Sequence, residues 1–166
     1  VYGNRYSVPD FLVGKLIGIR IFAEKIDTYY NNQILGTHTR SYGAHTWTLD
    51  IDHYLTTLFR KPGALKSSVA FDQSDEKIKT IYREYFLEEN RDFIELLQYC
   101  KNKNTGIEIL EKAIQKLKQI CPTNINKDKI IAVIEKSDEP ERRQNIDNEI
   151  HQYSQALLEE LTAIYN

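Results

Sequence analysis

Two periods of hydrophobicity divide the chain. In the first fifty or so residues apolar and polar side chains alternate, the two-residue repeat of a strand, whereas beyond Leu65 they recur every three to four positions, as on one face of a helix. Val1 to Pro9 sets Tyr2, Tyr6 and Val8 among polar residues and stops at a proline, which predicts a short edge strand. Val13 to Ala23 predicts a second, with Ile17, Ile19 and Ile21 on a core face and Leu16, Arg20 and Phe22 on the other. Lys25 to Tyr30 and Gln33 to Arg40 are strands joined at Asn31-Asn32, because asparagine tolerates the positive φ of a two-residue hairpin. Gly36 marks a bend or bulge in the second arm, and a fifth strand, His45 to Leu49, follows a Tyr42-Gly43 turn.

Five short strands with tight turns predict a small antiparallel, SH3-like β-barrel, closed or nearly so. Asp50 or Asp52 caps a helix whose stripe is Tyr54, Leu55, Leu58 and Phe59, placed to plug one barrel end. Lys61-Pro62-Gly63 then breaks the pattern and reads as a joint between two structural units. After it come helices. One starts at Ser74-Asp75-Glu76 and carries Ile78, Ile81, Tyr82, Tyr85 and Phe86; the next starts at Asn90 and carries Phe93, Leu96, Leu97 and Cys100. Thr105-Gly106-Ile107-Glu108 is a capping box for a third, with Ile107, Leu110, Ala113, Ile114, Leu117 and Cys121, ended by Pro122. Ile130, Ile131 and Ile134 mark a short fourth, and short links make these an antiparallel bundle. Past a polar linker, Ile146, Ile150, Tyr153, Leu157, Leu161 and Ile164 form a narrow seam. That width suits a partner helix, and packing back on the same bundle is the alternative. The fold class is thus α+β: barrel over 1–62, helical bundle over 63–137, linker and amphipathic C-terminal helix over 138–166.

Composition narrows the function. With 41% apolar and 28% charged residues the chain of 166 is globular, and no apolar run is long enough to cross a bilayer. It opens on Val1 without a basic flank and apolar core, so a segment of a longer, cytoplasmic protein is expected. Cys100 and Cys121 are too few for a disulfide framework and sit on apolar stripes, as structural thiols do. The net charge of −2 hides an asymmetry. Residues 1–66 hold 8 Lys and Arg against 5 Asp and Glu, and residues 67–166 hold 14 against 19. A basic module facing nucleic acid and an acidic one facing protein fit that division.

Catalytic signals are weak. His38, His45 and His53 lack the close spacing and thiolate partners of a zinc site, so no metal site is expected. Asp50 and Asp52 lack the third acid that two-metal chemistry needs, and capping explains them better. No phosphate-binding glycine loop or dinucleotide fingerprint occurs, and no cofactor is expected. The residues read as a binding module, with Lys15, Arg20, Arg40, Tyr42, Arg60, Lys61 and Lys66 as candidate DNA contacts and Ile146, Ile150, Tyr153, Leu157 and Leu161 as a candidate protein-interaction seam.

Several segments, taken in order, carry a resemblance. These are N-R-Y-S-V-P at Asn4 to Pro9, G-x-x-x-x-I-R at Gly14 to Arg20, Y-Y-N-N-Q-I-L-G-T-H-T-R at Tyr29 to Arg40, Asp52-His53-Tyr54, and R-K-P-G-A-L at Arg60 to Leu65. F-I-E-L-L at Phe93 and G-I-E-I-L-E-K-A at Gly106 are similar in arrangement. Together they resemble the region after the catalytic core in IstA-type transposases, the larger protein of the IstA/IstB insertion sequences. The resemblance implies an upstream integrase-like domain with an Asp-Asp-Glu triad that holds divalent metal. It implies that this segment is a noncatalytic barrel, comparable with that of Mu transposase, followed by assembly helices. The implied partners are double-stranded DNA, other transposase subunits and an AAA+ helper ATPase, and the implied location is the bacterial nucleoid. The alternative reading is a protein-interaction module that docks subunits or the helper without touching DNA.

Overall fold

The computed structural model describes residues 1–137. The proposed linker and the seam of Ile146, Ile150, Tyr153, Leu157 and Leu161 lie outside the described residues. The described residues form two compact units, Val1–Ile107 and a second that begins at Glu108. This division falls at Ile107, and Pro62 lies inside the first unit. The reason is packing: the short helix before Pro62 and the 3-10 turn after it both lean on the long helix that begins at Asn90.

The first unit mixes strands and helices, as an α+β reading requires. Its strands are β1 (Arg5–Tyr6), β2 (Gly18–Ile21), β3 (Lys25–Tyr30), β4 (Gln33–Thr39) and β5 (Trp47–Thr48). They make two sheets rather than one ring of hydrogen bonds. β2, β3 and β4 form an antiparallel meander, while β1 pairs in parallel with β5. Asn31 and Asn32 both adopt positive φ, 49° and 64°, so the hairpin turns as its asparagines dictate. The register slips between Thr28 and Tyr29, opposite Leu35 and Gly36, which is the bulge expected near Gly36. A Cβ at Gly36 would lie 3.3 Å from the His53 ring, a tight contact that a larger residue could make only by displacing the imidazole by a few tenths of an ångström.

The expected isoleucine core face on β2 is overturned. Ile19 and Ile21 are 49% and 43% exposed and Leu16 is 96% exposed. Alternation shows that β2 is a strand, but all four of its residues are exposed and its main contacts are with its strand neighbour β3. The buried surface belongs instead to Ile26 and Thr28 on the central strand β3 and to His38 on β4.

Asp50 does cap, accepting a hydrogen bond from the Asp52 N–H at the 3-10 turn Ile51–His53. Helix α1 (Leu55–Arg60) follows and buries Leu55 and Leu58. Its main neighbour is α4, tied to it by the Gln98 amide donating to the Leu55 carbonyl at 3.3 Å. Helix α2 (Val69–Asp72) and α3 (Glu76–Tyr85) begin at Ser68 and Asp75, whose side chains accept from Phe71 N–H and Lys77 N–H. Helix α4 (Asn90–Lys103) ends on Asn104 in the left-handed conformation, with Thr105 N–H bonding back to the Cys100 carbonyl. The core of this unit is a cluster of Phe71, Tyr82, Phe86 and Phe93, ring centres 5.1–6.1 Å apart, with Leu65, Ile94 and Leu96 fully buried.

In the second unit α5 (Ile107–Ile120) buries Leu110, Ala113, Ile114 and Leu117, four of the residues that its periodicity marks. Residues 127–137 are helical and bury Ile130 and Ile134.

Candidate nucleic-acid interface

Aromatic rings hold three arginines of the strand-rich start of the first unit; a fourth, Arg91 on α4, lies 4.5 Å from the Phe59 ring and is paired with Glu95 at 3.3 Å. Arg5 on β1 is paired in register with Trp47 on β5, and its guanidinium lies 4.4 Å from the centre of the Trp47 ring. Arg20 on β2 reaches Tyr29 on β3 at 4.9 Å. Arg40, just past β4, lies 4.6 Å from Tyr42 and 5.7 Å from Tyr2. It also donates to the Phe22 carbonyl at 2.9 Å, while the Tyr42 hydroxyl donates to the Ala23 carbonyl, so both are anchored to the β2–β3 turn. A guanidinium stacked by its face keeps its edge of N–H donors free, the arrangement that meets a phosphate in bidentate fashion. Among the described residues none of the three has a carboxylate within ion-pair distance.

Asp27 explains why Lys25 does not add to this set. Its carboxylate accepts from the Thr37 hydroxyl at 2.8 Å and from Lys25 at 3.0 Å, and those two bonds hold it below the usual carboxylate range. Lys25 is thereby neutralised, although its ammonium also lies 4.9 Å from the Phe22 ring. Beside Arg20, a shallow groove is lined by Gly18, Ile19, Tyr29 and Asn32.

Of the residues chosen from sequence, the structure brings Arg40 and Tyr42 together and sets Arg20 on the adjoining meander. Lys15 is exposed in the turn before β2. Arg60 and Lys61 lie at the end of α1, and Lys66 ends the following 3-10 turn with its ammonium 3.5 Å from Glu88. Arg5, Tyr29 and Trp47 count among the basic and aromatic residues of this unit in the sequence, but are not among the contacts chosen from it. A ring on a neighbouring strand becomes an arginine's partner only when the pairing is known, and β1–β5 joins residues about forty positions apart.

A second polar cluster lies inside the same unit. Ser7 Oγ and His53 Nδ1 are 2.8 Å apart, and Asp50 N–H donates to Ser7 Oγ at 2.9 Å. His38 Nε2 bonds the Ser7 carbonyl at 2.7 Å, and the two imidazoles meet edge to face at 5.5 Å. Burial, opposed by Asp50 and aided by His38 and Lys101, pushes the His53 pKa down and keeps the ring neutral. A serine beside a neutral imidazole has the makings of a nucleophile and base. Ser7 and His53 are only 5% and 4% exposed, however, and the serine oxygen is already engaged by a backbone N–H. The cluster is a structural latch joining β1, β4 and the 3-10 turn before α1. Among the described residues no three His, Cys, Asp or Glu side chains gather to hold a metal ion. None of their helices is long and apolar enough to cross a membrane.

Comparison with known proteins adds to this geometry. Residues 1–50 match the family described as the Mu transposase C-terminal domain. That segment holds all three stacked arginines and their rings. The chain is also 32% identical over 113 residues to a transposase for insertion sequences IS1326/IS1353 from Pseudomonas aeruginosa, covering 63% of this chain and 22% of the relative. The same transposase from Shigella flexneri matches equally, and a transposase from Aminobacter aminovorans is 29% identical over 102 residues, 57% of this chain and 20% of its own length. The match spans about a fifth of the length of these relatives. No solved structure matches the chain. The similarities are thus to a transposase C-terminal domain over the strand-rich start and to part of three transposases over a longer stretch.

Proposed function

We propose that this chain is the noncatalytic C-terminal part of an insertion-sequence transposase of the IstA type, that its strand-rich start contacts transposon-end or target DNA, and that its helices serve transpososome assembly. The observation that carries the DNA contact is the set of Arg5, Arg20 and Arg40, each held on an aromatic ring and none paired with a carboxylate, with Arg40 spending one donor on the Phe22 carbonyl. Because the rings fix these side chains in advance, little rotamer freedom is lost when a phosphate binds. Lys15, Arg60 and Lys61 are outlying phosphate contacts, and Lys66 joins them by exchanging Glu88 for DNA. The segment supplies no catalytic residue and no cofactor; divalent metal belongs to the catalytic core of the whole transposase, in the bacterial cytoplasm at the nucleoid.

Fluorescence anisotropy of the chain with a labelled duplex tests this reading. The three arginines alone predict a slope of log affinity against log salt of about −3, the four outlying cations steepen it to about −6, and each arginine changed to alanine reduces its magnitude by about one. Absence of binding at low salt, or a slope that ignores Arg5→Ala, Arg20→Ala and Arg40→Ala, overturns it.

One observation favours a protein-binding reading in addition. Phe11, Val13, Leu16, Ile19, Ile21 and Phe22 are all exposed within twelve residues, a concentration of apolar surface typical of protein contacts. Other transposase subunits and an AAA+ helper ATPase are the partners it would serve. Leu16→Ser with Ile19→Thr, which add no charge beside Lys15 and Arg20, then weaken co-sedimentation with those partners and leave DNA affinity intact; unchanged co-sedimentation removes this reading.

A further inference from the structure

The second unit carries a groove that the DNA contact does not use. Ile109, Lys112, Ala113 and Lys116 recur along α5 at steps of three and four, a single stripe of the helix. With Ile134 and Ser137 from the helical residues 127–137 they line a groove of about 440 Å³. Ala113 and Ile134 are buried beneath it, Ile109 is 43% exposed, and both lysines are exposed. No acidic side chain lines it. Among the described residues neither lysine is in an ion pair, and Lys116 spends one donor on the Ser137 hydroxyl at 3.2 Å. An apolar floor with a basic rim fits an amphipathic helix of opposite charge.

The sequence supplies an amphipathic, acidic stretch of that kind directly after the groove. Ser137 both lines the groove and ends the described residues, and 29 residues follow it. They contain seven Asp and Glu against two Arg, and Ile146, Ile150, Leu157 and Leu161 recur among Asp147, Glu149, Glu159 and Glu160. The eight residues before Ile146 span up to about 26 Å when extended. The α5 stripe from Ile109 to Gln119 is only about 15 Å long. The chain can therefore return along the groove from either end. We propose that residues 146–164 of the same chain occupy this groove, with their acidic side chains on Lys112 and Lys116 and their apolar seam on Ile109, Ala113 and Ile134.

Hydrogen exchange of the full chain, read by mass spectrometry over 146–164, tests the assignment. At a concentration where sedimentation shows a monomer, these amides should exchange at least about tenfold more slowly than in a peptide of the same sequence. Lys112→Glu with Lys116→Glu should remove that protection, and Glu159→Lys with Glu160→Lys in the same chain should restore part of it. The milder Lys112→Gln with Lys116→Gln should act in the same direction, and unchanged exchange in α5 shows that the unit remains folded. Free-peptide exchange in the unaltered chain overturns the proposal. So does protection that ignores both lysine pairs and Ile109→Glu, because the segment then covers another surface. Protection that appears only as the chain dimerises overturns it too, and assigns the groove to a second copy.

Discussion

Changing Ser7 to alanine removes one oxygen from the interior, and the structure sets its consequence. Ser7 Oγ accepts from Asp50 N–H at 2.9 Å, so its own proton is available for His53 Nδ1 at 2.8 Å. Without the hydroxyl, the imidazole nitrogen is left in a site 4% exposed, and the Asp50 N–H loses its acceptor in a partly buried one. A buried polar group stripped of its partner costs about 1–3 kcal/mol, so two such groups, one partly hydrated, predict a loss of about 2–4 kcal/mol. Urea unfolding measures it, followed by Trp47 fluorescence, because the single tryptophan lies on β5 beside the latch, and by helical circular dichroism. His53→Leu alone should also destabilise, whereas the pair Ser7→Ala with His53→Leu should cost less than the sum by at least about 1 kcal/mol, since both ends of one bond are then apolar. A loss below about 0.5 kcal/mol for Ser7→Ala, or strict additivity of the pair, would show that the hydroxyl does not hold β1 to the 3-10 turn.

Two further outcomes follow from buried titratable groups. The folded chain refuses a proton at His53 that the unfolded chain accepts near 6.5, so this contribution to stability is complete above that pH and is lost as pH falls below it. The urea midpoint should therefore be lower at pH 5.5 than at pH 7.5, with a smaller difference in His53→Gln; a midpoint that is flat or rises toward acid contradicts the burial argument. Burial pushes the Cys100 thiol up to about 11, with the Asp52 charge adding to the effect, while Cys121 is only half-buried. Iodoacetamide at pH 8 should label Cys121 and spare Cys100 until the chain is unfolded, and equal labelling of the two under native conditions would refute it.

The parts of the fold governed by neighbours in sequence were legible in advance. Asn31-Asn32 is a hairpin because two asparagines accept positive φ, and Asp50 and Asp75 start their helical turns because their carboxylates reach nearby N–H groups. The stripe of α4 buries every residue that its spacing marks, and those of α3 and α5 bury most of theirs, leaving Ile78, Tyr85, Ile107 and Cys121 partly exposed. What depends on distant partners was not legible. Alternation identifies the two faces of β2, yet whether either is covered depends on what packs against it, and the main contacts of β2 are with β3 beside it in the sheet. The latch of Ser7, His38 and His53 was invisible because buried polar groups leave no hydrophobic period. For the candidate interface, Arg20, Arg40 and Tyr42 were chosen on charge and aromatic content, while Arg5 needed the parallel β1–β5 register to reveal its ring.

That parallel pair also sets an order of assembly. The β3–β4 hairpin closes across two residues and can form within microseconds, as soon as its own segment is free. β1 must wait for β5, about forty residues downstream, and closing that longer loop costs roughly 2–3 kcal/mol more chain entropy than a tight turn. During synthesis the meander is therefore in place while Arg5 still has no tryptophan to rest on. The Arg5–Trp47 stack becomes a late checkpoint: a chain released before Trp47 is made holds Arg20 on its tyrosine but has only part of its phosphate-facing surface.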